Sequence, residues 1–169
     1  MNDSILFTEK QSFRTVWWIW VLLILGTGGF FLGAFKQFFT DQAFGNNSIS
    51  DSALLLTTLF VILVLFFVML ISLKTQVRQN GIYVRFFPFH LKFRKFEFTS
   101  LKKSYVRKYK PILEYGGWGL RWGFNGTAYN ISGTKGLQLQ LSNDKLLLIG
   151  TQKPKELKMV LENLDQHKT

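Results

Sequence analysis

Two long apolar runs without a single charged side chain limit what this chain can become. The first covers residues 16–35 and the second covers residues 53–73, so they are 20 and 21 residues long. A helix needs about 20 apolar residues to cross the hydrocarbon core of a bilayer. We therefore predict two transmembrane helices over these ranges.

Each run has an alternative interpretation. For the first it is a cleaved signal peptide, but the run is longer than a typical signal-peptide apolar region and no small-residue cleavage motif follows it. For the second it is a buried core helix, which its length and lack of charge argue against. Trp17, Trp18 and Trp20 open the first run, as is typical of a membrane–water interface.

The charges that flank the runs predict the direction of crossing. Two basic residues precede the first run and three follow the second, namely Lys10, Arg14, Lys74, Arg78 and Arg85. Cytoplasmic flanks of membrane spans carry an excess of Lys and Arg. We therefore predict a multi-pass protein of a bacterial inner membrane with both termini in the cytoplasm. Its parts are a cytoplasmic segment 1–15, the spans, an extracytoplasmic link 36–52 and a cytoplasmic domain 74–169.

After residue 73 the pattern changes from continuously apolar to alternating, which is typical of β-strands. Asn80-Gly81 is a hairpin turn signal, and Pro88 ends the strand that follows it. A change of phase near Arg94-Lys95 predicts a bulge or bend. Further strands are predicted over 101–109, 119–124, 127–132, 137–142 and 145–150, with a second turn at Asn125-Gly126.

The chain closes with one predicted helix. Pro154 suits the first position of a helix, where its missing N–H costs nothing. Leu157, Val160, Leu161 and Leu164 recur at the spacing of one helical face. The domain is therefore predicted to hold about seven strands followed by an amphipathic helix.

Four segments of this domain carry a family resemblance: GIYVRFFPFH (81–90), SYVRKYKPILEYGGWGLRW (104–122), AYNISGTKGLQLQL (128–141) and LIGTQKPKEL (148–157). They resemble the pleckstrin-homology-like (PH-like) domain of small bacterial membrane proteins with two N-terminal spans, a largely uncharacterised family. The resemblance implies a membrane α-helical hairpin followed by a β-rich PH-like barrel with a C-terminal capping helix. It implies no activity, because a fold alone does not specify function.

The glycine-rich segment 114–130 (EYGGWGLRWGFNGTAYN) does not predict a phosphate-binding loop. Its glycines do not match nucleotide-binding spacing, and it leads into a strand rather than a helix N-terminus. We expect Gly116-Gly117 to form a tight turn with positive φ. The nearby glycines would let Trp118 or Trp122 lie against a neighbouring backbone. The alternative is that Trp118 and Arg121 contact a partner or the headgroup region.

Residue types that support catalysis or metal binding are sparse. The chain has no Cys and only two histidines, His90 and His167. We expect His90 to be an exposed turn residue. Glu97 and Glu114 are the only acids between residues 74 and 143, and Glu97 is expected to neutralise part of its basic surroundings. We therefore predict no enzymatic activity, no metal site and no cofactor.

The main functional signal is a basic block over residues 74–110, where eleven Lys or Arg accompany the single Glu97. Anionic headgroups attract Lys and Arg near a bilayer surface, so we predict contact with anionic lipid headgroups or with a protein partner. The alternative is an ordinary solvated face, which is basic only because the cytoplasmic flanks of membrane spans are rich in Lys and Arg. The candidate contact residues are Arg85, Lys92, Arg94, Lys95, Lys102, Lys103, Arg107, Lys108, Trp118 and Arg121.

Other partners remain as alternatives. The protein would then be a structural subunit or scaffold of a larger membrane complex, or a homo-oligomer, without a specific role for lipid. Aromatic residues alternate with cations in SYVRKYK (104–110), a pattern that single-stranded nucleic acids also favour. Tethering beside a bilayer argues against nucleic acid as the partner.

Overall fold

The protein consists of two units, which a computed structural model describes over residues 4–40, 50–123 and 126–166. The helical unit covers Phe13–Leu70, and the β-rich unit covers Met1–Ser12 together with Ile71–Thr169. The elements are β1 (Ile5–Ser12), α1 (Trp17–Thr40), α2 (Asp51–Leu70), β2 (Ser72–Arg78), β3 (Gly81–Phe87), β4 (Arg94–Glu97), β5 (Leu101–Lys108), α3 (Pro111–Tyr115), β6 (Gly119–Gly123), β7 (Gly126–Asn130), β8 (Lys135–Leu141), β9 (Leu146–Gly150) and α4 (Pro154–Gln166).

The two helices of the helical unit are long and apolar enough to cross a membrane. They leave most of their large apolar side chains uncovered, and Leu25 and Phe39 are each 74% exposed. A soluble protein rarely exposes an apolar surface of this extent. The hydroxyls of Thr27 and Thr57 donate to the carbonyls of Leu23 (2.7 Å) and Ala53 (2.8 Å), one turn earlier. These polar groups are therefore satisfied inside the helix, as a hydrocarbon environment requires.

The helix ends differ from the predicted spans of 16–35 and 53–73. Helix α1 continues to Thr40, and α2 ends at Leu70 because the chain enters strand β2 at Ser72. Leu73 is fully buried in the β-rich unit, so its apolar character serves the sheet. Residues 41–49 of the predicted link lie outside the described residues.

The first sheet, sheet A, contains β1 to β4 in sequence order, and every neighbouring pair is antiparallel. Strand β1 adds residues 5–12 to the domain predicted over 74–169. It alternates in the manner of a half-buried strand. Phe7, Glu9 and Gln11 are buried, whereas Thr8 and Lys10 are exposed. Phe7 pairs with Val77, which is fully buried, so β1 extends the apolar face of β2.

The second sheet, sheet B, has the order β5-β8-β9-β7-β6, with β7 and β9 parallel. Leu137, Leu139 and Leu148 are fully buried within it. On α4, Leu157 and Leu161 are buried as the helical spacing predicts, and the helix begins at Pro154 as predicted. Two apolar helices followed by a β-rich domain and a C-terminal helix are therefore confirmed.

The closed barrel is not confirmed, because the described strands form two sheets that each have two edge strands. Strand β4 has only four residues, and a 3-10 turn over Phe98–Ser100 follows it at once. The chain thus passes into sheet B without a ladder between β4 and β5. Eight strands follow residue 71, one more than the seven predicted.

The local turn signals have mixed outcomes. The hairpin at Asn80-Gly81 is confirmed, since Arg78 pairs with Gly81, and β3 ends at Phe87 just before Pro88. Of the bulge or bend predicted near Arg94-Lys95, the bulge is absent, because Arg94 and Lys95 pair with β3 in regular register. The bend lies just before them at Leu91-Lys92, in the irregular loop over 88–93 that leads into β4. Asn125 of the second predicted turn and His167 lie outside the described residues.

A buried carboxylate joins the two sheets to the start of α4. Glu9 on β1 accepts hydrogen bonds from the Thr151 hydroxyl (2.6 Å) and the Gln152 backbone N–H (2.7 Å). It also accepts one from the Gln11 amide (3.0 Å), and that amide donates to the Gly150 carbonyl (2.8 Å). We call this arrangement of Glu9, Gln11 and Thr151 the Glu9 clasp. It ties the strand that precedes α1 to the last strand and helix of the chain.

Candidate functional site

Three cations stand side by side across sheet A. Lys10 on β1 pairs with Lys74 on β2, and Lys74 pairs with Arg85 on β3. Directly paired residues of antiparallel strands point to the same side with Cβ atoms about 5 Å apart. This side is the one opposite Phe7 and Val77, and therefore opposite the core. We call Lys10, Lys74 and Arg85 the cation row.

Within residues 4–40, 50–123 and 126–166, the neighbour that offsets this charge is the aromatic ring of Phe93. The Lys74 Nζ lies 5.9 Å and the Arg85 Cζ lies 5.2 Å from the ring centre of Phe93, within the range of a cation–π contact. None of the three cations forms an ion pair with a carboxylate in the described part of the chain. The buried Nε of Arg85 donates no hydrogen bond to a described residue. Like charges at paired positions repel, so an anion bound beside the row would reduce the repulsion among its three cations.

Four of the predicted contact cations are already held by partners within the protein. Lys95 pairs with Glu97 at 2.9 Å, which confirms that Glu97 neutralises part of the basic block. Lys102 pairs with Asp144 (2.6 Å), and Arg107 pairs with Glu114 (2.7 Å). The Arg94 guanidinium donates to the Tyr129 hydroxyl (3.0 Å). These side chains already have partners within the β-rich unit, which leaves less of the basic block for a ligand.

Of the other five predicted cations, four lie on different parts of the unit, and the fifth, Arg121, is exposed on β6. Arg85 belongs to the cation row, and Lys92 is exposed in the loop 88–93. Lys103 and Lys108 are exposed on β5 of sheet B, where Lys108 pairs with Lys135. The structure therefore divides the predicted residues between two sheets and brings only Arg85 into the row.

The glycine-rich segment contains a tight turn between α3 and β6. Gly116 ends α3 in the left-handed region (φ 70°) and Gly117 follows with φ 122°, which confirms the expected tight turn. The half-buried Trp118 donates from its indole N–H to the Gly133 carbonyl (3.2 Å), and the Arg121 Nε donates to the Trp118 carbonyl (3.0 Å). The exposed ring nearby is Trp122, which is 74% exposed.

His90 is not the exposed turn residue that the sequence predicts, because it is only 7% exposed. Its Nδ1 accepts a hydrogen bond from the Phe86 backbone N–H (3.3 Å), and the His90 backbone N–H donates to the Phe86 carbonyl (2.8 Å). Its ring meets that of Tyr129 edge-on at 5.1 Å. Burial, together with nearby Arg94, lowers the pKa of His90 below its usual value. The residue therefore anchors the loop 88–93 to the core.

Comparison with known families identifies relatives of the chain as a whole. A family of unknown function, DUF6141, matches residues 2–164. The chain belongs to this family. The matched range covers nearly all of both units, from before β1 to residue 164 within α4. Comparisons with curated proteins and with solved structures found no match.

Two members of the cation row in this DUF6141 chain, Lys10 and Lys74, were not among the predicted contact residues. The sequence shows them only as charges that flank the apolar runs. Lys10 and Lys74 are adjacent because β1 pairs with β2, although the whole helical unit separates these two strands in the sequence. The inward positions Glu9 and Gln11 are polar, so β1 lacks the apolar alternation by which a strand is recognised.

Arg107 and Glu114 form a part-buried ion pair with further partners. The Arg107 Nε donates to the Gln138 amide oxygen (2.9 Å), and the Lys110 backbone N–H donates to Glu114 (2.7 Å). The hydrogen bond from Arg107, followed by the one from the Lys110 backbone, holds the pKa of Glu114 below its usual value of 4.5. The pair therefore closes α3 against β5 and is a structural feature of the DUF6141 chain.

We expect the contribution of this pair to depend on pH. A carboxylate whose pKa is lowered by folding stabilises the folded state above its unfolded pKa, and this stabilisation is lost as the pH falls through the lowered value. The difference in free energy of unfolding between the wild type and Glu114→Gln should be full at pH 7 and should shrink progressively below pH 4.5. Urea unfolding at several pH values measures it.

Glu162→Gln is the matched control for this experiment, because Glu162 pairs only loosely with Lys158 (3.5 Å) on the exposed side of α4. Exposed pairs contribute about 0–1 kcal/mol, so the control should differ little from the wild type. A Glu114→Gln difference that stays constant down to pH 3 would contradict the lowered pKa of Glu114.

Within the described residues, no three His, Asp or Glu side chains are placed to hold a metal ion.

Proposed function

We propose that this protein is a membrane-anchored module whose cation row binds the phosphate of anionic lipid headgroups at the cytoplasmic face of a bacterial inner membrane. The observation that carries the proposal is the row itself: Lys10, Lys74 and Arg85 at paired positions without a carboxylate partner. Each Lys or Arg near an anionic surface contributes about 1 kcal/mol to its attraction. A guanidinium also binds phosphate oxygens in pairs, which adds geometric specificity.

The connectivity of the chain supports a lipid rather than a soluble anion. Lys10 precedes the first residue of α1 by seven residues, and Lys74 follows the last residue of α2 by four. If the helices span the bilayer, such short links keep the row within reach of the headgroups. The pairing of β1 with β2 also favours two crossings, because the chain must return to the side from which it left.

The cytoplasmic orientation and the PH-like relationship are parts of this proposal. The orientation is supported by the basic flanks of the two helices, following the positive-inside rule. The PH-like relationship is supported by two sheets followed by one C-terminal helix. Neither adds a residue to the site, so both can fail without affecting the cation row.

The test removes the row and leaves the rest of the protein intact. Full-length protein carrying Lys10→Gln, Lys74→Gln and Arg85→Gln is compared with a control carrying Lys135→Gln, Lys145→Gln and Lys155→Gln. All three control lysines are exposed, so both variants lose three positive charges. Native mass spectrometry then counts bound phosphatidylglycerol and phosphatidylcholine of identical acyl chains.

We expect the wild type and the control to prefer phosphatidylglycerol, and the row variant to lose that preference by roughly tenfold or more, since three cations act together. An equal loss in both triple variants would mean that total charge matters and the row does not. Displacement of the bound lipid by excess inorganic phosphate would identify a soluble-anion site. Either result overturns the proposal.

A protein-docking role is the second candidate, and Trp122 is the observation that favours it. Its ring is 74% exposed on β6, an edge strand of sheet B. Exposed aromatic rings and free strand edges are common contact points between proteins. A photo-crosslinking amino acid at position 122, with position 155 as the control, should give a specific product in native membranes. The mass of that product distinguishes a second copy of this chain from another subunit.

A further inference from the structure

We propose that the loop between β3 and β4, residues 88–93, inserts the side chains of Phe89 and Leu91 into the interfacial region of the bilayer that the helices cross. The inference deepens the proposed function and rests on its membrane attachment. It uses other residues and a different force, because apolar insertion replaces electrostatic attraction. The two can therefore fail separately.

The strand register places this loop at the membrane-connected end of sheet A. Strand β3 ends at Phe87, which pairs with Ser72, the second residue after the end of α2. Ser72 pairs on its other side with Ser12, which ends β1 just before the chain continues into α1. Neighbouring strands lie about 4.8 Å apart. The loop therefore leaves the sheet about one strand spacing from the point where the chain returns from α2 and about two from the point where it departs for α1.

The loop presents its apolar side chains outward because the residue between them faces inward. Phe89 is 54% exposed and Leu91 is 75% exposed, whereas His90 between them is 7% exposed. The contacts of His90 with the Phe86 backbone and the Tyr129 ring fix the loop to the core. An anchored loop loses little conformational freedom on binding, which favours insertion.

Cations border these apolar side chains in the order that a bilayer requires. Lys92 is exposed next to Leu91, and Phe93 lies beneath Lys74 and Arg85 of the cation row. Interfacial segments bury apolar side chains about 5–10 Å below the headgroups and keep Lys and Arg at the level of the phosphates. This charge complementarity, together with the position of the loop, selects a lipid surface as the occupant.

The absence of cysteine from the chain allows a clean measurement. The full-length protein carrying Leu91→Cys is labelled with an environment-sensitive fluorophore and reconstituted as one copy per lipid nanodisc, so that no second copy of the chain is present. Gln79→Cys is the matched control, because Gln79 is exposed at the other end of the β2–β3 hairpin. Lipids with a quencher in the upper acyl chain report whether the label reaches them.

We expect at least twofold stronger quenching and a blue-shifted emission for the label at position 91 relative to position 79. The difference should persist in 1 M salt, because screening acts on charges and not on apolar burial. Equal quenching at both positions, or loss of the difference in high salt, overturns the inference. Quenching at 91 without a preference for phosphatidylglycerol would support loop insertion and refute headgroup recognition by the row. The converse result would refute only the loop.

Discussion

Replacing Phe7 with alanine is expected to lower the free energy of unfolding of the β-rich unit by about 3–5 kcal/mol. Phe7 is 2% exposed and pairs with Val77 in the core of sheet A. The truncation removes a buried ring and leaves a cavity between β1 and its neighbours. For a domain of this size each kcal/mol lowers the Tm by roughly 4–8 °C. The Tm measured by the loss of near-UV circular dichroism should therefore fall by well over ~10 °C.

Leu6→Ala is the matched control for this prediction. Leu6 lies on the same strand and is 39% exposed, so its truncation removes less buried surface. We expect a change of less than about 1 kcal/mol for the control. Equal effects of the two substitutions would show that β1 does not pack in sheet A. The prediction also implies that a fragment that begins at residue 74 is unstable, because it lacks β1 and the Glu9 clasp.

Removing the carboxylate of Glu9 is expected to have an effect of similar size. Glu9→Ala takes the acceptor away from three donors, namely the Thr151 hydroxyl, the Gln152 backbone N–H and the Gln11 amide. A hydrogen bond to a charged group contributes about 1.5–3 kcal/mol, and a buried donor left without a partner is costly. We therefore expect Glu9→Ala to destabilise the unit by about 3–5 kcal/mol, measured by the same unfolding experiment.

Glu9→Gln distinguishes loss of the acceptor from loss of volume. Glutamine retains the shape and one acceptor oxygen, but its NH₂ group faces a donor in place of the second oxygen. The expected order of stability is wild type, then Glu9→Gln, then Glu9→Ala. Glu162→Ala, on the exposed side of α4, should stay close to the wild type. A Glu9→Ala variant as stable as this control would contradict the role of the clasp.

The elements that could be predicted from sequence are those with a local physical signal. Two uncharged runs predicted two apolar helices, Asn80-Gly81 predicted a hairpin, and Pro154 with its following leucines predicted α4. Each signal lies within one element, because it depends on solvent preference, on turn geometry or on a single helical face. The helix ends were less predictable, because an apolar residue such as Leu73 is equally suited to a membrane span and to the core of a sheet, where it lies.

Strand β1 and the position of His90 could not be predicted in this way. The inward face of β1 carries Glu9 and Gln11, whose hydrogen bonds outside the strand go to Thr151, Gln152 and Gly150 at the other end of the chain. His90 reads as a polar residue after a strand-breaking proline, and only its contacts with Phe86 and Tyr129 explain its burial. A buried polar group is intelligible only with its partner.

The amino-acid sequence alone was sufficient to establish two apolar helices, a basic β-rich domain and a terminal helix, because these follow from composition and periodicity within short windows. Which cations become neighbours was decided only by the tertiary structure. Lys10, Lys74 and Arg85 are neighbours only through strand register, and a shift of one residue would turn every side chain of a strand to the other face. Register arises from long-range pairing and core packing, which no short window of sequence contains.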